Sequence, residues 1–107
     1  MENTAAVVVT TSADSEVMLK KIGQKLVEER LAACCQISGP MTSIYRWQDK
    51  IYAEEEFLCT AKTIGARVAE VTAMIRELHA YDEPEVIVTP IVGGSESYLK
   101  WIAESVA

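Results

Sequence analysis

Basic residues are scarce in this chain: ten Lys and Arg stand against sixteen Asp and Glu, a net charge of −6 over 107 residues. Without a basic stripe a phosphate backbone has little to bind, so nucleic acid is discounted as a partner. Cations or cationic ligands suit the field better. Long apolar runs are missing as well. None approaches the ~20 residues that cross a bilayer, and the opening Met1-Glu2-Asn3-Thr4 lacks the basic start of a secretory signal. No membrane insertion is expected. Cysteine is limited to Cys34, Cys35 and Cys59, odd in number, two of them adjacent, with no Cys-x-x-Cys spacing. That is no disulfide framework and no copper-chaperone motif; a reducing cytoplasm is the expected compartment.

What is present is an ordinary globular composition, half of it hydrophobic, and residues 1–107 read as a single domain. Ala5–Thr10, with Val7, Val8 and Val9, suits a strand covered on both faces. Ser12 or Asp14 is placed to cap a helix in which Leu19, Ile22 and Leu26 recur at helical spacing and which fades near Ala32–Ala33. Gly23 among these apolar positions suggests a close helix–sheet contact. Cys34 to Ile37 begins the next strand, which Ser38-Gly39-Pro40 is expected to interrupt. Ser43–Trp47 and Ile51–Lys62 flank the polar triplet Gln48-Asp49-Lys50 as a hairpin. After a link at Thr63-Ile64-Gly65, a helix spans Ala66 to Leu78 with Val68, Val71, Ile75 and Leu78 on its stripe. A loop follows over His79–Pro84, then a strand over Val86–Thr89. Ser95 caps a last helix from Glu96 to Val106.

The order β-α-β-β-α-β plus a C-terminal helix predicts an α+β, ferredoxin-like sandwich with both crossover helices on one face of the sheet. Strand alternation puts Phe57, Cys59 and Ala61 on one side and Leu58 and Thr60 on the other. With Val7 to Val9 and Ile87 assigned to it, the outward face is too oily for water, which predicts self-association.

Five segments, in order, carry a resemblance over nearly the whole chain. They are Glu29-Arg30-Leu31-Ala32-Ala33-Cys34; Ser43-Ile44-Tyr45-Arg46-Trp47 with Lys50-Ile51; Glu56 through Lys62-Thr63; His79-Ala80-Tyr81 with Pro84-Glu85; and Gly94 through Tyr98-Leu99-Lys100-Trp101. Together they resemble CutA, the divalent-cation tolerance family. The resemblance implies a cytoplasmic homotrimer built by sheet-edge pairing, structural kinship to the trimeric PII signalling proteins, and an association with Cu2+ or another divalent metal. It implies neither an organic cofactor nor a settled enzymatic reaction. Copper-linked members carry a cysteine where this chain has Thr11 and a histidine where it has Leu78; of that trio only His79 is kept.

His79 and Cys34 are accordingly the candidate metal ligands. The polar-aromatic set Tyr45, Trp47, Glu56, Lys62, Tyr81, Glu85, Tyr98 and Trp101 is the candidate lining of a ligand cleft between subunits, with Glu85 a candidate partner for Lys62. Such residues also suit subunit interfaces. Glu54 and Glu56 share a strand face, but no EF-hand spacing surrounds them. No catalytic constellation is identified. An acylphosphatase-like reaction lacks its glycine-rich loop leading to an arginine, and a phosphotransfer through His79 lacks a basic cradle. The competing reading is a PII-like signalling protein that binds a small molecule or nucleotide between subunits.

Overall fold

The computed structural model describes residues 2–107. Strand β1 spans Ala6–Ala13, helix α1 Glu16–Glu28, strand β2 Cys34–Trp47 and strand β3 Lys50–Ile64. A 3-10 turn over Gly65–Arg67 leads into helix α2, Val68–Leu78, followed by strand β4, Ile87–Pro90, and helix α3, Glu96–Ser105. The sheet order is β2-β3-β1-β4, with every neighbouring pair antiparallel. This is the ferredoxin-like α+β sandwich with an added C-terminal helix.

Local chemistry explains where the boundaries depart from expectation. Strand β1 continues to Ala13, so Ser12 and Asp14 do not cap α1; Ser15 does, its Oγ accepting from the Met18 amide at 3.1 Å. Helix α1 stops four residues before Ala32. Arg30 takes the left-handed φ of 58°, its amide donates to the Val27 carbonyl, and the Leu31 amide donates to the Leu26 carbonyl at 2.9 Å. That is a Schellman ending with arginine where glycine is usual, so the sequence carries no stop signal there. Strand β2 is not interrupted at Pro40. The register shifts between Ser38 and Met41, a bulge on an edge strand, where the absent proline N–H costs no ladder bond. The hairpin turn is tighter than a triplet: Lys50 already pairs with Trp47, and Gln48 and Asp49 sit at φ 49° and 64°, the left-handed pair of a type I′ turn.

The core lies between the sheet and α1 and α2. Leu19, Ile22, Leu26, Val71 and Ile75 pack on Val9, Ala13, Cys59 and Ala61, each large aliphatic side chain contributing about 1.5–3 kcal/mol by its burial. A Cβ on Gly23 would lie 3.1 Å from Cys35 Cβ, which is the close helix–sheet approach its position suggests. Leu78, in contrast, leaves the stripe of α2 and is exposed.

Alternation also corrects the composition of the outward face. Val7 and Val9 are fully buried on the helix side, so only Val8 of that run faces outward. The cross-strand register brings Thr10, Thr60, Leu58, Lys62 and Ile87 to the same side, a mixed surface rather than an oily one. Helix α3 covers one end of it through Ile102 and Val106, packed with Ala6, Ile64 and Leu99. The oily surface sits elsewhere. The β2–β3 hairpin stretches the molecule to 44 Å in its longest dimension, against 25 and 22 Å, and carries exposed Ile44, Trp47 and Ile51.

Candidate functional site

The hairpin arm and the loop between α2 and β4 enclose a groove. Along β3, Tyr52, Glu54 and Glu56 alternate onto one face, and the register places Tyr45 opposite Tyr52 and Ser43 opposite Glu54. The Tyr45 and Tyr52 rings stack with centroids 5.5 Å apart, fixing the aromatic wall. From the other side the loop brings Ala80, Tyr81, Asp82, Glu83 and Glu85, while Ser12 and Asp14 close the end. The cavity measures about 790 Å3, the size of a small-molecule site.

Its charge is one-sided. Among the described residues six carboxylates line it, those of Asp14, Glu54, Glu56, Asp82, Glu83 and Glu85, and no Lys, Arg or His does.

Tyr81 holds the groove together. Its hydroxyl donates to Glu56 Oε2 at 2.8 Å and accepts from the Asp14 amide at 3.0 Å, joining the loop to β3 and to the residue that follows β1. Burial, and then the bond to the Glu56 carboxylate, push its phenol well above the ordinary value. The Ser12 hydroxyl donates to Glu85 Oε1 at 3.4 Å. Desolvation, and then the bond and charge of Glu54, likewise raise the Tyr45 phenol.

His79 is buried directly behind this loop, and both its ring nitrogens are occupied. Nδ1 accepts from the Tyr81 amide at 3.0 Å, so Nε2 carries the hydrogen and donates to the Ser12 carbonyl at 2.8 Å. In this arrangement the ring has no lone pair left for a metal. Its role is to shape the turn that presents Tyr81. The neighbouring Thr11 hydroxyl is fully buried and has no hydrogen-bond partner among the described residues.

The predicted cleft set thus divides. Tyr45, Trp47, Glu56, Tyr81 and Glu85 meet in the groove. Cys34, Lys62, Tyr98 and Trp101 gather at the other end of the same sheet face, beside α3. There the Cys34 thiol lies 3.7 Å from the Tyr98 hydroxyl, and the Tyr98 and Trp101 rings tilt together at 5.4 Å. Lys62 pairs across β1 with Val8, four residues from Ser12, so about 13 Å of strand separates Cys34 from the His79 contact. The two candidate metal ligands do not converge within one chain. Nor does Lys62 reach Glu85: it is half exposed and donates to the neutral Gln36 side chain. Among the described residues no three His, Cys, Asp or Glu side chains close around a metal ion. Sequence reasoning does not reach Asp14, Tyr52, Asp82 and Glu83 as lining residues. The strand alternation that gave Glu54 and Glu56 also marks Tyr52, but nothing in the loop sequence signals how it folds back.

These features define a class: a ferredoxin-like α+β protein with an acidic, aromatic-walled groove at the root of a protruding hairpin. The relatives give the family. The family model described as CutA1 divalent ion tolerance protein matches residues 6–105. The chain is 39% identical over 98 residues to the divalent-cation tolerance protein CutA of Thermus thermophilus, covering 92% of this chain and 95% of that one. It is 40% identical over 86 residues to the chloroplastic protein CutA of Arabidopsis thaliana, 80% of this chain but only 47% of that protein's length. The solved structure of the divalent cation tolerance protein from Thermus thermophilus superposes with a TM-score of 0.92 at 37% identity, over 95% of this chain and 99% of that one. The chain belongs to the CutA family.

Proposed function

We propose that the chain acts in divalent-cation tolerance as a cytoplasmic homotrimer, responding to cations by binding at the hairpin groove rather than by catalysis. The observation that carries this reading is the lining of the groove, with six carboxylates and no basic side chain. Such a surface attracts cations and repels the phosphates of a nucleotide, which weighs against the PII-like nucleotide reading. The exposed Ile44, Trp47 and Ile51 of the arm and the unpaired outer edge of β2 support assembly, since apolar surface and free strand edges are both stabilised by a partner. A divalent metal, Cu2+ included, would meet oxygen ligands spread along the groove. A closed cage would draw on carboxylates or the Cys34 thiols of more than one copy. Calorimetric titration of purified protein with Cu2+, Mg2+ and ATP, beside a sedimentation measurement of mass, tests the reading. Cation uptake by an assembly of three chains supports it; nucleotide uptake without a metal response refutes it.

A further inference from the structure

Glu56 is the one lining carboxylate that the fold has taken out of water: it is 7% exposed. It receives a single hydrogen bond, from Tyr81, and among the described residues it forms no ion pair. A carboxylate desolvated to this degree is costly without a cationic partner, and this one opens onto a cavity whose walls are aromatic rings. The stacked Tyr45–Tyr52 pair lines the same wall four residues further along β3, with the Tyr45 phenol reaching back into the field of Glu54 and Glu56. Aromatic faces further along the wall from a buried carboxylate suit an elongated cation, whose charge meets the carboxylate while its carbon body lies against the rings. A compact, strongly hydrated metal ion gains little from them. We infer that the groove takes an ammonium or guanidinium group, its charge on Glu56 and its carbon body along the strand toward Tyr45. This rests on the groove being the ligand site and adds an organic cation, seated at Glu56, to the divalent ions that its exposed carboxylates attract. The same chemistry comes from a free amine or guanidine, or from a Lys or Arg side chain of a second copy.

Butylguanidine and its uncharged isostere butylurea separate the possibilities, with Mg2+ as the metal control. Titration of the full chain should show butylguanidine binding at least tenfold more tightly than butylurea. Glu56→Gln, which keeps an oxygen to accept from Tyr81, should erase that preference, and Tyr45→Leu should weaken butylguanidine several-fold while leaving the circular dichroism spectrum unchanged. Binding with no change in sedimented mass identifies a free small molecule as the occupant. A fall in mass on adding butylguanidine identifies a side chain of a second copy, as does a looser Glu56→Gln assembly where butylguanidine fails to enter. The inference is overturned if butylguanidine and butylurea bind alike, or if neither binds and Glu56→Gln assembles as tightly as the parent. Mg2+ binding that Glu56→Gln abolishes, with no butylguanidine preference, would overturn it while leaving the groove a cation site.

Discussion

Replacing Tyr81 with phenylalanine removes one oxygen and, with it, both hydrogen bonds that join the loop to the sheet. The two losses are unequal. Asp14 is exposed, so water takes over its amide, whereas Glu56 is 7% exposed and loses its one donor. Hydrogen bonds to charged groups are worth about 1.5–3 kcal/mol; since Tyr81 is itself only half-buried, we expect about 2 kcal/mol. For a domain of this size that lowers the melting midpoint by roughly 8–16 °C, measured by calorimetry at matched protomer concentration because assembly contributes to apparent stability. The pH dependence gives an independent check. Below the ordinary phenol value of 10.0 folded and unfolded chains both hold the Tyr81 proton, so its contribution is complete there. Above that value the unfolded chain releases the proton first, because the folded value is raised, and stability falls as pH climbs. Tyr81→Phe should lose less stability than the parent between neutral pH and pH values above 10.0. A variant within about 0.5 kcal/mol of the parent, with the same alkaline slope, would refute the idea that this hydroxyl ties the loop down.

Other substitutions probe the frame around the site. Thr11→Val replaces a buried, unpartnered hydroxyl with a methyl group of the same shape and should stabilise the chain by about 1–2 kcal/mol in urea unfolding; a loss would show that the hydroxyl has a partner. Gly39→Ala should cost about 2 kcal/mol or more, since φ is +131° and the new Cβ would lie 2.8 Å from Phe57 Cδ2 and 3.1 Å from the Glu56 carbonyl oxygen; unchanged stability would contradict the bulge geometry. Asp49→Gly should stabilise by about 1 kcal/mol, because Asp49 holds a left-handed φ of 64° at the hairpin tip; the same unfolding curves decide it.

How far the sequence reaches depends on the range of the interaction concerned. Apolar spacing is local, so Leu19, Ile22 and Leu26 announce α1, and alternation places Cys59 and Ala61 against it. Capping depends on one residue's neighbours, and Ser12, Asp14 and Ser15 are equivalent in sequence until the length of β1 is known. Faces fail more instructively. A run of three valines reads as oily on both sides, but strand alternation sends Val7 and Val9 inward and leaves threonines beside Val8. The groove was half legible. Tyr45, Trp47 and Glu56 belong to one hairpin, whose register follows from its turn, so their meeting is foreseeable. Tyr81 reaches Glu56 through a hydrogen bond spanning 25 residues, and Glu85 is held at Ser12 across 73; no pattern in the loop encodes that closure. The resemblance groups Lys62 and Tyr98 with them because it supplies positions without distances.

Charge selectivity at the groove is the claim on which the functional account stands. Calorimetric titration of the parent and of Glu56→Gln with a cation series and with ATP, under one buffer, measures it directly. The account predicts that cations bind, that the substitution weakens them, and that ATP does not compete. ATP binding that Glu56→Gln strengthens or leaves intact, with no cation taken up by either protein, would contradict it.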